Sequence, residues 1–209
     1  MKNDERVSFY SHFAGFIAAI IGTIILLYIS KEATDKLIIS MVYGSSVIFL
    51  FLASSSYHYF KKEDDEVSIW RKLDHIAIFI MIAGTYTPIC FLYLTGYWRW
   101  SIIIIQWILV FGGLFFKFFY LKAPRYLYTL IYLLMGWMII VSIRQLLASM
   151  PGSSVLLLLL GGLAYTTGAI FYIVKKPKLR SGFGFHEIFH FFILLGAFFH
   201  YILVYNGLT

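Results

Sequence analysis

Two histidines spaced four residues apart, near the C-terminus, could bind a metal ion together. His186 and His190 lie on one face of a helix, one turn apart, because an α-helix repeats every 3.6 residues. Ser54 and His58 have the same spacing in an earlier apolar stretch, and Asp74 stands near the start of the next one. Three neutral imidazoles are a typical zinc ligand set that leaves a fourth position open for water. Zinc lowers the pKa of such a water to about 7, which makes it a usable nucleophile.

Seven apolar stretches, each long enough to cross a bilayer as a helix of about 20 residues, must position these side chains. The stretches are Ser8–Ile29, Leu37–Phe60, Ile69–Leu94, Trp98–Tyr120, Tyr126–Ile143, Ser154–Val174 and His186–Tyr205. Their apolarity is continuous, without the strict alternation of a membrane β-barrel, so only helices can satisfy the backbone in lipid. The sequence therefore predicts an all-α, seven-transmembrane helix bundle that forms a single domain over residues 1–209.

Composition supports a membrane protein. The chain of 209 residues is 61% apolar and 13% charged, whereas a soluble domain averages roughly 45–50% apolar and about 25% charged residues. The net charge of +7 does not indicate nucleic-acid binding, because the basic residues lie in short loops and not on a soluble face. The first apolar stretch is too long for a signal peptide and has no cleavage site behind it. We expect a multi-pass protein of a bacterial inner or plasma membrane whose immediate partner is the lipid bilayer.

Lys and Arg predict the orientation. Thirteen of these residues fall on the side of the N-terminus and of the second, fourth and sixth loops, and four fall on the other side. Because basic loops stay inside, the N-terminus is predicted to be cytoplasmic and the C-terminus extracytoplasmic. His58, Asp74 and the pair His186 and His190 then meet at the cytoplasmic end of three different spans, as a metal site requires. Ser54 and Asp74 could bind the water there, and Asp74 could also ligate the metal directly.

The other polar residues allow several interpretations. His186-Glu187-Ile188-Phe189-His190 fits the H-E-x-x-H pattern of zinc proteases, in which the glutamate is a general base. Glu187 could equally support a ligand or lie at the membrane interface. His12 has the right depth for an accessory role, whereas His200 is about 15 Å further along its helix than His190 and is not expected to ligate. His75 points about 100° away from Asp74 and is expected to pack or to support a ligand. Cys90, the single cysteine, is expected to be a small buried apolar residue.

The same residues resemble the hemolysin III family, the bacterial branch of the progestin and adipoQ receptor group. That group lies within a wider set of membrane hydrolases that includes alkaline ceramidases. The resemblance rests on four blocks: SSSYH ending at His58, DHIAIFIMIAGTYTP from Asp74, GGLAYTTGAIFY from Gly161 and GFHEIFHFFILLGAFFH ending at His200. Phe189 stands where many bacterial members are expected to have Trp. The resemblance implies zinc held by His58, His186 and His190, with Asp74 and Ser54 as partners of its water.

Three functions follow as hypotheses. The first is a zinc-dependent intramembrane hydrolase that cleaves an amide or ester of a lipid-like substrate near the cytoplasmic face, with Asp74 and Ser54 as its catalytic residues. The second, implied by the family name, is a pore-forming cytolysin, although no stretch has the amphipathic character of a lytic segment. The third is a receptor or sensor in which zinc holds helices together, and a fourth protein ligand would indicate this function.

Overall fold

The described part of the chain contains seven helical spans. The computed structural model describes residues 1–63, 66–119, 124–180 and 183–209, and of Arg180 only the backbone. The helices are α1 Arg6–Ser30, α2 Thr34–Phe60, α3 Ile69–Tyr93, α4 Gly96–Phe119, α5 Arg125–Gly136, α6 Ile143–Ser149, α7 Gly152–Val174 and α8 Phe185–Leu208. A 3₁₀ segment at Met138–Ser142 joins α5 to α6, and together they make the fifth span. Each span is long and apolar enough to cross a membrane, which confirms the predicted helical membrane bundle.

Short connections make successive spans antiparallel, so the residues proposed for chemistry gather at one end. The helices α1, α3, α5 and α8 begin at this end, and α2, α4 and α7 finish there. We name it the N-terminal end of the bundle. Helix α1 packs on α2 and α8, α2 packs on α3, and α7 packs on α8. Helix α3 contacts α2, α4, α5 and α8 and is the most buried span.

The outer surface is apolar. Large exposed side chains such as Ile24, Ile108, Phe111 and Leu134 cover the bundle. Monomeric soluble proteins do not expose apolar areas of this extent, because water contact with them is unfavourable. Lipid chains remove that cost, so the surface is consistent with a multi-pass membrane protein.

Most predicted spans agree with the observed helices to within three residues at each end. Tyr120, the predicted end of the fourth span, lies outside the described residues, as do Lys122, Asp64 and Asp65 of the predicted loops. Two short antiparallel strands, β1 Lys178–Arg180 and β2 Phe183–Gly184, precede α8 and were not predicted from the sequence. Three- and two-residue strands carry too little pattern to be recognised.

Lys117 is not a loop residue. The sequence predicted it to be one of the basic residues of the fourth connection, but it lies in the last turn of α4 with a relative exposure of 0%. Its ammonium group turns into the bundle and lies 2.7 Å from Nδ1 of His75 on α3. A buried cation at this depth is costly, which makes it a candidate for a functional role.

The fifth span is interrupted where the sequence predicted one helix, Tyr126–Ile143. The helix breaks after Gly136, and neighbouring spans satisfy the backbone that the break exposes. The Tyr86 hydroxyl on α3 donates to the carbonyl of Gly136 at 2.7 Å and accepts from the N–H of Ile139 at 2.8 Å. Gln106 on α4 donates to the carbonyl of Met135 at 2.8 Å. Irregular backbone survives at membrane depth only when protein supplies such partners.

Replacing Tyr86 by Phe tests this account. The Tyr86→Phe variant leaves the Gly136 carbonyl and the Ile139 N–H without their partner, and each unpaired group costs about 1–3 kcal/mol of stability. We expect a lower melting temperature of the detergent-solubilised protein, measured by intrinsic fluorescence. Tyr205→Phe, the same change at an exposed position, should leave the melting temperature unchanged. Equal melting temperatures for both variants would contradict the role of Tyr86.

Candidate metal centre

Three histidines from two helices converge at the N-terminal end of the bundle. His58 lies in the last turn of α2, and His186 and His190 occupy the first two turns of α8. Each offers one ring nitrogen, and these atoms lie within 4.8 Å of one another. His58 and His190 are buried, and His186 is half-buried. The cluster could hold a metal ion.

The donor atoms fit a small cation. Nε2 of His58 lies 3.4 Å from Nε2 of His186. Two nitrogens bound tetrahedrally to one zinc ion at about 2.0–2.1 Å would lie about 3.4 Å apart. Nδ1 of His190 is buried and has no hydrogen-bond partner among the described residues. Three imidazoles whose donor atoms lie within 4.8 Å of one another match the ligand preference of a borderline-soft divalent ion.

A carboxylate fixes the ring of His58. Nδ1 of His58 donates to Oε2 of Glu5 at 2.5 Å, and Nζ of Lys61 donates to Oε1 of the same carboxylate at 2.5 Å. Glu5 ends the 3₁₀ turn before α1 and is buried. Because the proton of His58 resides on Nδ1, its Nε2 keeps a lone pair directed towards His186. Metal-binding histidines are commonly oriented by a carboxylate in this way.

The Glu187 carboxylate is engaged in holding α8 against α1. Oε1 accepts a hydrogen bond from the Ser8 hydroxyl at 2.9 Å, and Oε2 accepts one from the N–H of Gly184 at 2.7 Å. The second contact satisfies the backbone N–H of the N-cap residue of α8, as the glutamate of a capping box does. Both oxygens of the carboxylate therefore have structural partners, unlike the free general base that the H-E-x-x-H pattern of proteases requires.

His12 of α1 lies against the cluster without joining it. Its ring stacks on that of His190 with a centroid separation of 3.7 Å, and the two planes differ by 18°. The ring of Phe51 lies edge-on to that of His12, with a centroid separation of 5.2 Å. Both ring nitrogens of His12 are buried and have no hydrogen-bond partner among the described residues. His12 thus packs directly behind one of the three clustered histidines.

A cavity of about 610 Å³ opens beside the histidines. His186, His190, Asp74 and Ser54 all line it. Ser54 on α2 and Asp74 on α3 lie near each other, and Asp74 also lies near His58. The volume is in the range of a small-molecule site. The structure therefore brings Asp74 and Ser54 to the same cavity as two of the histidines.

His75 and His200 stay outside the cluster. Nδ1 of His75 faces Lys117 at 2.7 Å, and its backbone carbonyl accepts from the Tyr132 hydroxyl at 3.1 Å. His200 lies deeper along α8, where its Nε2 is 3.3 Å from the Leu158 carbonyl. His200 lines the cavity far from the clustered histidines, in agreement with the expected distance along the helix.

Glu5 and the buried Lys117 were not predicted from the sequence to lie near the site. Glu5, Ser8 and His12 are spaced three and four residues apart, which places them on one helical face. That spacing was a usable signal, but the predicted first span began at Ser8 and left Glu5 in a solvated terminus. Lys117 had no such signal, because a lysine at the end of an apolar stretch is ordinarily an interfacial residue.

Comparison with known proteins agrees with the sequence resemblance. The protein family described as Haemolysin-III related matches residues 1–201. A protein named Hemolysin-3 from Bacillus cereus is 37% identical over 196 residues, which cover 93% of this chain and 87% of the relative. A Hemolysin-3 homolog from Bacillus subtilis (strain 168) is 35% identical over 198 residues, which cover 93% of this chain and 89% of the relative. The chain is therefore a multi-pass membrane protein that belongs to the hemolysin III family.

Proposed function

We propose that the protein is a zinc-dependent intramembrane hydrolase that cleaves an amide or ester of a lipid-like substrate. The observation that carries the proposal is the convergence of three imidazoles beside a cavity that Asp74 and Ser54 also line. A buried cluster of donor nitrogens alone would suit a structural metal. A substrate-sized cavity with a carboxylate beside the cluster favours a catalytic site over a structural one.

His58, His186 and His190 would hold the ion. When bound, zinc supplies a Lewis acid that polarises a carbonyl and makes water a nucleophile near neutral pH. Glu5 would keep Nε2 of His58 available by holding the proton on Nδ1. Among the described residues, the cluster has three ligands and not the four of a closed structural site. This count favours a hydrolase over a sensor with structural zinc.

Asp74 and Ser54 would move and position the water. Asp74 accepts one proton from water while the water oxygen forms a bond to the carbonyl carbon of the substrate. The carbon–oxygen or carbon–nitrogen bond then breaks, and Asp74 passes the proton to the departing alcohol oxygen or amine nitrogen. The products are a carboxylic acid and an alcohol or amine. The Ser54 hydroxyl donates to Asp74 and keeps the carboxylate oriented during both transfers.

The N-terminal end of the bundle would face the cytoplasm. The excess of Lys and Arg at this end remains when Lys117 is removed from the count, and basic loops are retained on the inner side of the membrane. The catalytic cavity would then open near the inner leaflet, and the C-terminus would be extracytoplasmic.

Thiol labelling tests the orientation, because the single cysteine, Cys90, is buried and should not react with the label. A Thr209→Cys variant should react with a membrane-impermeant maleimide in intact cells. A Lys2→Cys variant should react only after the cells are permeabilised. The reverse pattern would place the candidate metal centre at the outer face and contradict this part of the proposal.

Pore formation is the second candidate, and the names of the two relatives favour it. Both relatives are named as hemolysins, and cytolysis by a pore needs no metal chemistry. Variants that lack the clustered histidines therefore distinguish the two functions, because these variants should lose hydrolysis but not pore formation.

Loss of the metal ligands should abolish both metal binding and hydrolysis. We expect the double variant His58→Ala, His190→Ala to lose bound zinc, measured by elemental analysis of the purified protein, and to lose turnover of ceramide-like and acyl-ester lipids. Asp74→Asn should retain zinc and lose about 10²- to 10⁴-fold in turnover, because only the proton transfer is removed.

His200→Asn is the matched control, since this histidine lies outside the cluster; it should keep its zinc. Full turnover in the double variant would end the hydrolase proposal. Lysis of red cells by purified protein that persists without the clustered histidines would favour the pore instead.

Glu5→Gln should weaken metal binding without abolishing it. Glutamine keeps the size of the side chain but loses the charge that fixes the ring of His58, and such changes cost about 10- to 100-fold in metal affinity. Competition with a chelator measures the effect. Glu32→Gln, a change in an exposed loop at the opposite end of the bundle, is the control. An unchanged affinity would mean that Glu5 only attaches the N-terminal turn to Lys61.

A further inference from the structure

The cavity beside the candidate metal centre carries an excess of positive charge. Among its described lining residues, Asp74 is the only acid, whereas four side chains are basic: Arg71, Lys117, Arg125 and Lys175. Lys117 is fully buried, and Nη1 of Arg125 is buried without a hydrogen-bond partner among the described residues. Basic side chains inside a membrane bundle are expensive to bury and usually serve a function.

Lys117 reaches the cavity next to the proposed general base. Its Nζ lies 2.7 Å from Nδ1 of His75, the residue that follows Asp74, and 2.9 Å from the centre of the Tyr128 ring. The side chain has no exposure to the outside. No carboxylate lies within 4.0 Å of this nitrogen in the part of the chain that the structure describes. Lys117 is thus a fully buried lysine whose neighbours include an imidazole and an aromatic ring.

Arg125 also lines the cavity, near the histidine cluster. Its guanidinium lies 4.4 Å from the centre of the Tyr172 ring and 5.6 Å from that of Phe185. Tyr172 in turn packs on His186 at 5.9 Å. Nη1 of Arg125 is buried and has no hydrogen-bond partner among the described residues. An arginine stacked on aromatic faces keeps its planar edge free to bind an anion in two-point fashion.

We propose that Lys117 and Arg125 bind the phosphate group of an acyl phospholipid, whose ester then lies at the candidate metal centre. This inference rests on the proposed hydrolase and names its substrate class. Lysine provides a point charge and arginine a planar fork, and both are common ligands of phosphate oxygens. In the low dielectric of the bundle interior, these contacts are stronger than they would be in water.

The positions of the two cations match the chemistry of such a lipid. Lys117 contacts the residue next to Asp74, and Arg125 packs on a neighbour of His186, so a bound phosphate would lie close to the cleavage site. A glycerophospholipid holds its first ester only a few bonds from its phosphate. Beyond the polar end, the cavity is lined by apolar side chains suited to an acyl chain, including Leu50, Ile78, Met81, Ile82, Leu133 and Ile193.

Binding measurements with the full-length protein test the proposal separately from turnover. The protein is treated with a chelator, so that lipid is bound but not cleaved, and titrated with phosphatidylglycerol, with diacylglycerol and with inorganic phosphate by native mass spectrometry. We expect phosphatidylglycerol to bind at least about tenfold more tightly than diacylglycerol, since only the former offers the charge-assisted contacts. Phosphatidylglycerol should also outcompete inorganic phosphate, which lacks the acyl chains.

Variants locate the site. Lys117→Met and Arg125→Met should each weaken phosphatidylglycerol binding about tenfold or more and leave diacylglycerol binding unchanged. Lys72→Met and Arg144→Met are matched controls, because neither residue lines the cavity, and both should bind like the unaltered protein. If a methionine variant does not fold, Lys117→Arg, which keeps the charge, should retain binding of phosphatidylglycerol. The comparison of the three ligands with the unaltered protein then still tests whether the phosphate is recognised.

Three outcomes would overturn the assignment. Equal affinity for phosphatidylglycerol and diacylglycerol would mean that the protein does not recognise the phosphate group. Inorganic phosphate that binds as tightly as the lipid would identify the free anion as the ligand. Unchanged binding in both methionine variants would place recognition elsewhere. If the zinc-loaded, unaltered protein binds phosphatidylglycerol but does not hydrolyse it, that result would instead contradict the hydrolase proposal and still support the phosphate site.

Discussion

The structure depends on one constraint: a polar group inside the bilayer must find its partner within the protein. Lipid offers no hydrogen bonds, and an unpaired group costs several kcal/mol, so every irregularity in a span requires a neighbour that compensates for it. Tyr86 and Gln106 meet this requirement at the break in the fifth span. Glu5 meets it at the end of α2, where it lies between His58 and Lys61. In each of these cases the partner comes from a different element of the fold.

The same constraint explains how much of the fold could be predicted. Apolar stretches of membrane-spanning length are the strongest pattern a sequence contains, and they located every span. The convergence of His58 with His186 and His190 was also predictable, because alternating spans bring the end of the second and the start of the seventh to the same membrane face. Helical spacing then indicated that both histidines of α8 share one side. Depth and face together were enough to identify the cluster.

Other features depended on contacts between distant residues. The break after Gly136 is stabilised by a tyrosine fifty residues away, and nothing in the local sequence distinguishes that stretch from an unbroken helix. Glu5 lies in a polar terminus whose composition resembles any solvated leader, and its role is created by the end of α2. Lys117 follows a long apolar stretch, as interfacial lysines do, and only the packing of α4 against α3 turns it inward. In each case the decisive partner is remote in sequence.

The proposed roles are distributed over spans of different burial. His58 and Asp74 lie on α2 and α3, which are the most buried spans, whereas His186 and His190 lie on the less buried α8. The hydrogen bond from Ser8 to Glu187 holds the start of α8 against α1, which helps to position these two histidines. The proposed phosphate ligands, Lys117 and Arg125, come from α4 and α5, which belong to less buried spans. A long-range charge contact tolerates small displacements better than metal coordination or proton transfer does. Under these proposals, phosphate recognition would lie on two of the less buried spans, and the proposed base on the most buried span, α3.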